Sequence, residues 1–139
     1  MTTYKTINKK TDYFPQRKQV MKYVYEARNI ARKYNINHPR IEVRICENEK
    51  DCNTNAQVLG VASMDSKTKN IWIMENAFNR HDLRIIVFHE ILHTLYNQDH
   101  VKGCRLMSPT LSNKWFTDQE ITKLFIKYIK TNRSWYVST

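Results

Sequence analysis

One stretch constrains this chain more than any other: His89-Glu90-Ile91-Leu92-His93. Two histidines four residues apart leave one face of an α-helix together, so both imidazoles can reach a single ion. Glu90 follows His89 and projects about 100° away from it, as the helical period dictates. It can therefore touch a metal-activated water without being a ligand itself. This H-E-x-x-H arrangement suits a zinc hydrolase, with the glutamate as general base and the metal lowering the pKa of water. Five letters recur by chance, so the flanks decide. Leu83, Ile86, Val87, Ile91, Leu92 and Leu95 make an apolar stripe at helical spacing, and Asn79 with Asp82 supplies a start signal. The motif is predicted to lie on a helix.

A catalytic zinc needs three protein ligands and one open position. The segment from His89 to His100, followed by Cys104-Arg105-Leu106-Met107-Ser108-Pro109, resembles the metzincin metallopeptidases. Their pattern is H-E-x-x-H-x-x-G-x-x-H and then a methionine turn, which Met107 resembles. The resemblance implies a zinc-dependent peptidase acting on a peptide or protein, with a minimal zincin-like α+β fold. That fold has an N-terminal helix, a small twisted mixed sheet, the active-site helix, the Met-turn and a C-terminal helix. The chain departs from the pattern at two places: Tyr96 stands where the glycine belongs, and Asp99 stands at the third-ligand spacing.

Two repairs are available. Asn97 is the next best residue after glycine for a left-handed helix end, and three residues beyond it lies His100. The helix then runs one residue longer and His100 joins His89 and His93. Alternatively Asp99 binds directly, since carboxylate oxygen is an acceptable zinc ligand. His100 is favoured as the commoner ligand type, with Asp99 as the alternative. Cys104 sits four residues past His100, a spacing similar to the archaemetzincin pattern, but no later cysteine completes a second zinc site. One metal is expected, and Cys104 is equally well explained as a buried thiol.

At 139 residues the chain is expected to be one domain, 1–139, with tails at 1–12 and 131–139. Its 41% hydrophobic and 26% charged residues exclude a disordered chain. No apolar run approaches the ~18 residues of a membrane span, and no secretory signal precedes the first helix. A cytoplasmic monomer is the expectation. Cys46, Cys52 and Cys104 are an odd count of three, which suggests thiols rather than a disulfide scaffold, although Cys46 and Cys52 flank one loop. Two glycines among many Lys, Asn, Ile and Tyr suggest a phage or bacterial source. The net charge of +10 favours anionic partners in general; a solvated basic face is the favoured explanation of it, with nucleic-acid contact possible but not favoured.

In order, Val20, Val24, Ala27, Ala31 and Tyr34 predict an amphipathic helix from Pro15 to Tyr34. Its exposed face gathers Arg17, Lys18, Lys22, Arg28, Arg32 and Lys33 against Glu26 alone. His38, before Pro39, reads as a loop residue rather than a ligand. Ile41, Val43 and Ile45 alternate as a half-buried strand, and Glu47 to Asn55 reads as a loop. Val58 to Ser63 and Asn70 to Glu75 read as an antiparallel hairpin. The resemblance implies that Ile71-Trp72-Ile73 is the sheet edge on which an extended substrate pairs, with Leu111 and Trp115 lining a specificity pocket. Tyr96 is expected in the core. Thr117-Asp118-Gln119-Glu120 is a capping box opening the last helix. Trp135, Tyr136 and Val137 have a docking role only as an option. Two rivals keep the motif: a SprT-like DNA-associated zinc protease, and a zinc-stabilised structural or virion protein that cuts nothing.

Overall fold

In the computed structural model these patterns become three α-helices and one three-stranded sheet among the described residues, which are 14–46, 59–63, 67–79, 83–108 and 117–131. Helix α1 spans Phe14–Lys33, strand β1 Glu42–Cys46, β2 Gly60–Ala62 and β3 Asn70–Met74. A 3-10 turn over Glu75–Asn79 follows, then α2 over Leu83–Tyr96 and α3 over Asp118–Thr131. The protein is α+β with a small mixed sheet. No described helix is long and apolar enough to cross a membrane.

The predicted hairpin forms: β2 and β3 pair antiparallel, with Gly60 opposite Ile73 and Ala62 opposite Ile71. The sheet order is β1-β3-β2, and β1 runs parallel to β3 with Val43 opposite Ile71. This corrects the edge assignment. Ile71-Trp72-Ile73 lies in the central strand, hydrogen-bonded on both sides, and its Ile71 and Ile73 are fully buried. Short, nearly continuous apolar runs belong inside sheets, where both ladders are satisfied. Among the described strands the edges are β1 and β2, on either side of β3, and β2 is half-buried throughout.

Helix α2 is the axis of the core. Sequence periodicity suggests one apolar stripe, yet every residue of α2 except Arg84 is buried, including Phe88, Thr94 and Tyr96. A helix apolar on nearly all sides must be enclosed, and α1, α3 and the sheet enclose it. Phe88 meets Phe125 of α3 with ring centroids 4.6 Å apart, a contact favoured beyond its area by aromatic geometry. Arg84 ties the helices together. Its Nε donates to Glu26 Oε1 of α1 at 2.6 Å, its Nη2 to Thr122 Oγ1 at 2.7 Å, and its guanidinium lies 4.5 Å from the Phe88 ring centre.

The ends of two helices use the same device. Asn35 and Asn97 hold φ of 57° and 51°, the left-handed region that asparagine tolerates better than other side chains. After Asn35 the Ile36 N–H returns to the Ala31 carbonyl at 2.9 Å, and after Asn97 the Gln98 N–H returns to Leu92 at 3.0 Å. Helix α3 opens on the expected box, the Glu120 N–H donating to Thr117 Oγ1 at 3.1 Å. Tyr96 is a core residue whose hydroxyl donates to the Asn37 carbonyl at 3.2 Å.

The cysteine expectation needs correction: Cys46 is disulfide-bonded and buried, whereas Cys104 is free. Its position at the end of β1, beside the charged loop, permits what an odd count argued against. Cys52, the loop from Glu47 to Asn55, Asp82, Pro109, Leu111, Trp115, the terminal segment with Trp135, Tyr136 and Val137, and the 1–12 tail lie outside the described residues.

Candidate metal centre

The chemistry-bearing residues meet at the C-terminal half of α2. His89 and His93 leave the helix one turn apart, and the turn after Asn97 brings His100 back over them. One ring nitrogen from each of the three lies within 4.8 Å of the others, and the ring centroids are 4.6, 4.7 and 5.2 Å apart. Asp99, exposed beside His100, is not in that cluster; its charge acts on His93. His38 stays in its loop, away from the cluster.

The hydrogen bonds fix the tautomers. His89 Nδ1 lies 2.7 Å from the Leu106 carbonyl and His93 Nδ1 2.6 Å from the Gln98 carbonyl. A carbonyl only accepts, so both Nδ1 atoms carry the proton and donate it. Each neutral ring then presents a bare lone pair at Nε2. Those two Nε2 atoms face each other at 3.1 Å. Two lone pairs at that distance repel unless a proton or a metal cation lies between them. The proton is disfavoured: burial, with the nearby histidines adding, lowers His89 to about 4 against its carbonyl hydrogen bond, and burial lowers His93 as well. Tetrahedral zinc holds its nitrogen ligands roughly 3.3 Å apart, which this pair meets within about 0.2 Å. The donor set therefore fits a metal ion, and the two carbonyls are the partners that metal-binding histidines ordinarily have.

Glu90 points elsewhere. Its side chain is buried against β2, where a Cβ built on Gly60 would fall 2.9 Å from Glu90 Oε2 and 3.0 Å from its Cγ. Only a glycine leaves that space. Burial pushes the carboxyl up to about 8, so without a cation nearby it holds its proton at neutral pH. A metal on the histidines would oppose that shift.

The turn at residues 105–107 closes the site from below. Leu106 and Met107 are fully buried, the Leu106 carbonyl takes the His89 proton, and the Val101 N–H donates to the Met107 carbonyl at 2.7 Å. Cys104 is occupied as an acceptor, from Tyr128 Oη at 3.0 Å and from the Met107 N–H at 3.4 Å. Burial, with this bond adding, pushes the Tyr128 hydroxyl up to about 12. The structure thus brings His89, His93 and His100 together with Met107 packed in the core nearby. Three contributors were not found from the sequence: Gly60 and the carbonyls of Gln98 and Leu106. Gly60 had one signal, being one of only two glycines in the chain; the carbonyls had none.

No protein family, curated protein or solved structure matches this chain. Its reading rests on its own residues.

Proposed function

We propose that the protein is a zinc-dependent metallopeptidase of metzincin type, with His89, His93 and His100 as the metal ligands and Glu90 as general base. The observation that carries this reading is the pair of opposed Nε2 atoms, 3.1 Å apart, on rings whose Nδ1 protons are both committed to carbonyls. That arrangement is costly for two neutral rings alone and favourable around a cation. Zinc, when bound, would supply a Lewis acid that lowers the pKa of water and polarises a scissile carbonyl. The chain's own residues do the rest. Gln98 and Leu106 hold the imidazoles in register, Gly60 leaves room for the carboxylate, and Glu90 takes a proton from water and delivers it to the leaving amine. Met107 supports the site as buried packing, and the half-buried edge strand β2, which lies against Glu90, rather than the central β3, is the strand to pair with an extended peptide.

Elemental analysis of the untagged protein tests the metal, and Glu90→Gln tests the chemistry. Close to one zinc per chain is expected in both proteins, with peptide hydrolysis reduced about 10²–10⁴-fold in the variant. Zinc without any hydrolysis that Glu90→Gln abolishes would favour the zinc-stabilised structural protein instead. Absence of zinc after refolding with the metal would end the peptidase reading.

A further inference from the structure

Between α1 and the segment 38–43 lies a cavity of about 490 Å³. Its lining combines four arginines, Arg17, Arg28, Arg32 and Arg40, with His38 and Tyr25. On α1 the contributing positions follow the helical period, Arg17, Met21, Val24, Arg28 and Arg32, so one face of the helix forms one wall. Like charges four residues apart, as at Arg28 and Arg32, destabilise a helix that has nothing between them. Among the described residues, the acids of α1 and of the cavity lining are already paired. Glu26 is bound to Arg84, and Glu42, the one carboxylate in the lining, pairs with Arg40 at 3.5 Å. Arg17, Arg28 and Arg32 have no ion-pair partner among the described residues.

The second observation is independent of charge. Arg28 Nε and His38 Nε2 are both buried and without a hydrogen-bond partner among the described residues, and both residues line this cavity. Buried polar atoms are nearly always satisfied, so each of these two calls for a partner that the described residues do not supply, an ordered water or a ligand. A guanidinium N–H calls for an acceptor, and His38 becomes a donor once an anion beside it stabilises the imidazolium. The forked guanidinium matches phosphate oxygens in geometry as well as sign. The space is too large for phosphate alone, and Met21, Val24 and Ile41 make part of the wall apolar. Tyr25, the one large hydrophobic residue left exposed among those described, lies at the same site with the Arg28 guanidinium 5.5 Å from its ring centre. An aromatic platform beside a guanidinium suits a nucleobase, which stacks without regard to its identity.

We propose that this cavity binds a nucleotide unit, its phosphate on Arg28, Arg17 and Arg32 and its base against Tyr25 and the apolar wall. The unit is either a free nucleotide or one residue of a single strand, and the proposal stands apart from the peptidase reading.

The test is calorimetric titration of the full-length protein with AMP, adenosine, inorganic phosphate, a single-stranded oligodeoxyadenylate and its duplex. Arg28→Lys keeps the net charge but removes the fork, and Lys123→Ala on the exposed side of α3 removes a charge that is not in the cavity lining. Saturable binding of AMP assigns a free nucleotide; binding of the single strand without AMP assigns the polymer. Either supports the site when Arg28→Lys weakens it about tenfold or more and Lys123→Ala changes it less than about twofold. Equal loss in the two variants, duplex bound as tightly as single strand, inorganic phosphate as tightly as AMP, or no binding at all each overturns it. Arg17→Ala, at an exposed position, carries the same comparison should Arg28→Lys lower the melting temperature.

Discussion

The histidine cluster and the arginine cavity are both crowded with groups of one kind, but they differ in how their polar atoms are satisfied. At the cluster both inward-facing rings have a carbonyl on Nδ1, so the remaining nitrogens are aimed, tautomer and all, at one point. At the cavity the ring and the guanidinium each leave a buried nitrogen with no partner among the described residues. A site whose outer hydrogen bonds are complete is organised before its ligand arrives, whereas orphaned atoms wait on a water or a ligand for their partner. The first arrangement fits a small ion by geometry. The second selects by charge and leaves room for shape.

The largest effect is expected at the cluster. His93→Ala removes one of two pre-aimed nitrogens and should lower zinc affinity at least about a hundredfold, taking zinc per chain close to zero. His100→Ala should do the same and Asp99→Ala should not, because His100 lies in the cluster and Asp99 does not. Metal analysis after dialysis reads all three. Loss of metal in Asp99→Ala with retention in His100→Ala would reassign the third ligand.

Next comes Gly60→Ala, which probes how Glu90, the proposed base, is seated. The added methyl would sit 2.9 Å from Glu90 Oε2, closer than real Cβ contacts come, and the neighbour is a fully packed side chain. Overpacking of this kind costs about 1–3 kcal/mol. Chemical denaturation should show that loss while zinc content stays unchanged, and any peptide hydrolysis should fall as Glu90 is displaced. A variant as stable as the parent would mean that the carboxylate moves aside freely and that β2 does not position it.

Much of this arrangement was legible in the letters. Apolar periodicity gave α1, α2 and α3 within a residue or two at the ends that are described, and the turn chemistry of Asn97 gave both the end of α2 and the approach of His100. Those are local properties, set by a residue's own φ preference and its neighbours three or four positions away. What depended on distant chain segments was not legible. That β3 is central follows from β1 pairing with it across the intervening chain, and that α2 is enclosed on nearly every side follows from three separate packing partners. The carbonyls of Gln98 and Leu106 carry no side-chain signature, and the orphaned nitrogen of His38 arises only once α1 covers it. The basic face of α1 read as solvated, yet part of it lines a cavity.

That last difference gives the smallest but most selective prediction. Burial, opposed by a hydrogen bond of the His38 ring to its own backbone and aided by the charges of Arg28 and Arg32, lowers His38 from 6.5 to about 4. In the unfolded chain the same ring titrates near 6.5, so between these values the unfolded state binds more protons than the folded one. The group therefore contributes stability that is present above pH 6.5 and is lost as pH falls toward 4, with a slope of at most about 1.4 kcal/mol per pH unit. His89 and His93 shift in the same direction, so the acid limb of the chelated protein is a sum. Subtraction isolates His38: the difference in unfolding free energy between the parent and His38→Gln, measured from pH 7 down to pH 5, should shrink steadily as the parent loses what the glutamine variant never had. A difference that stays flat would show His38 to be as easily protonated in the folded protein as in the unfolded one. The cavity would then already hold a neutralising partner for its arginines, and the contrast with the histidine cluster would disappear.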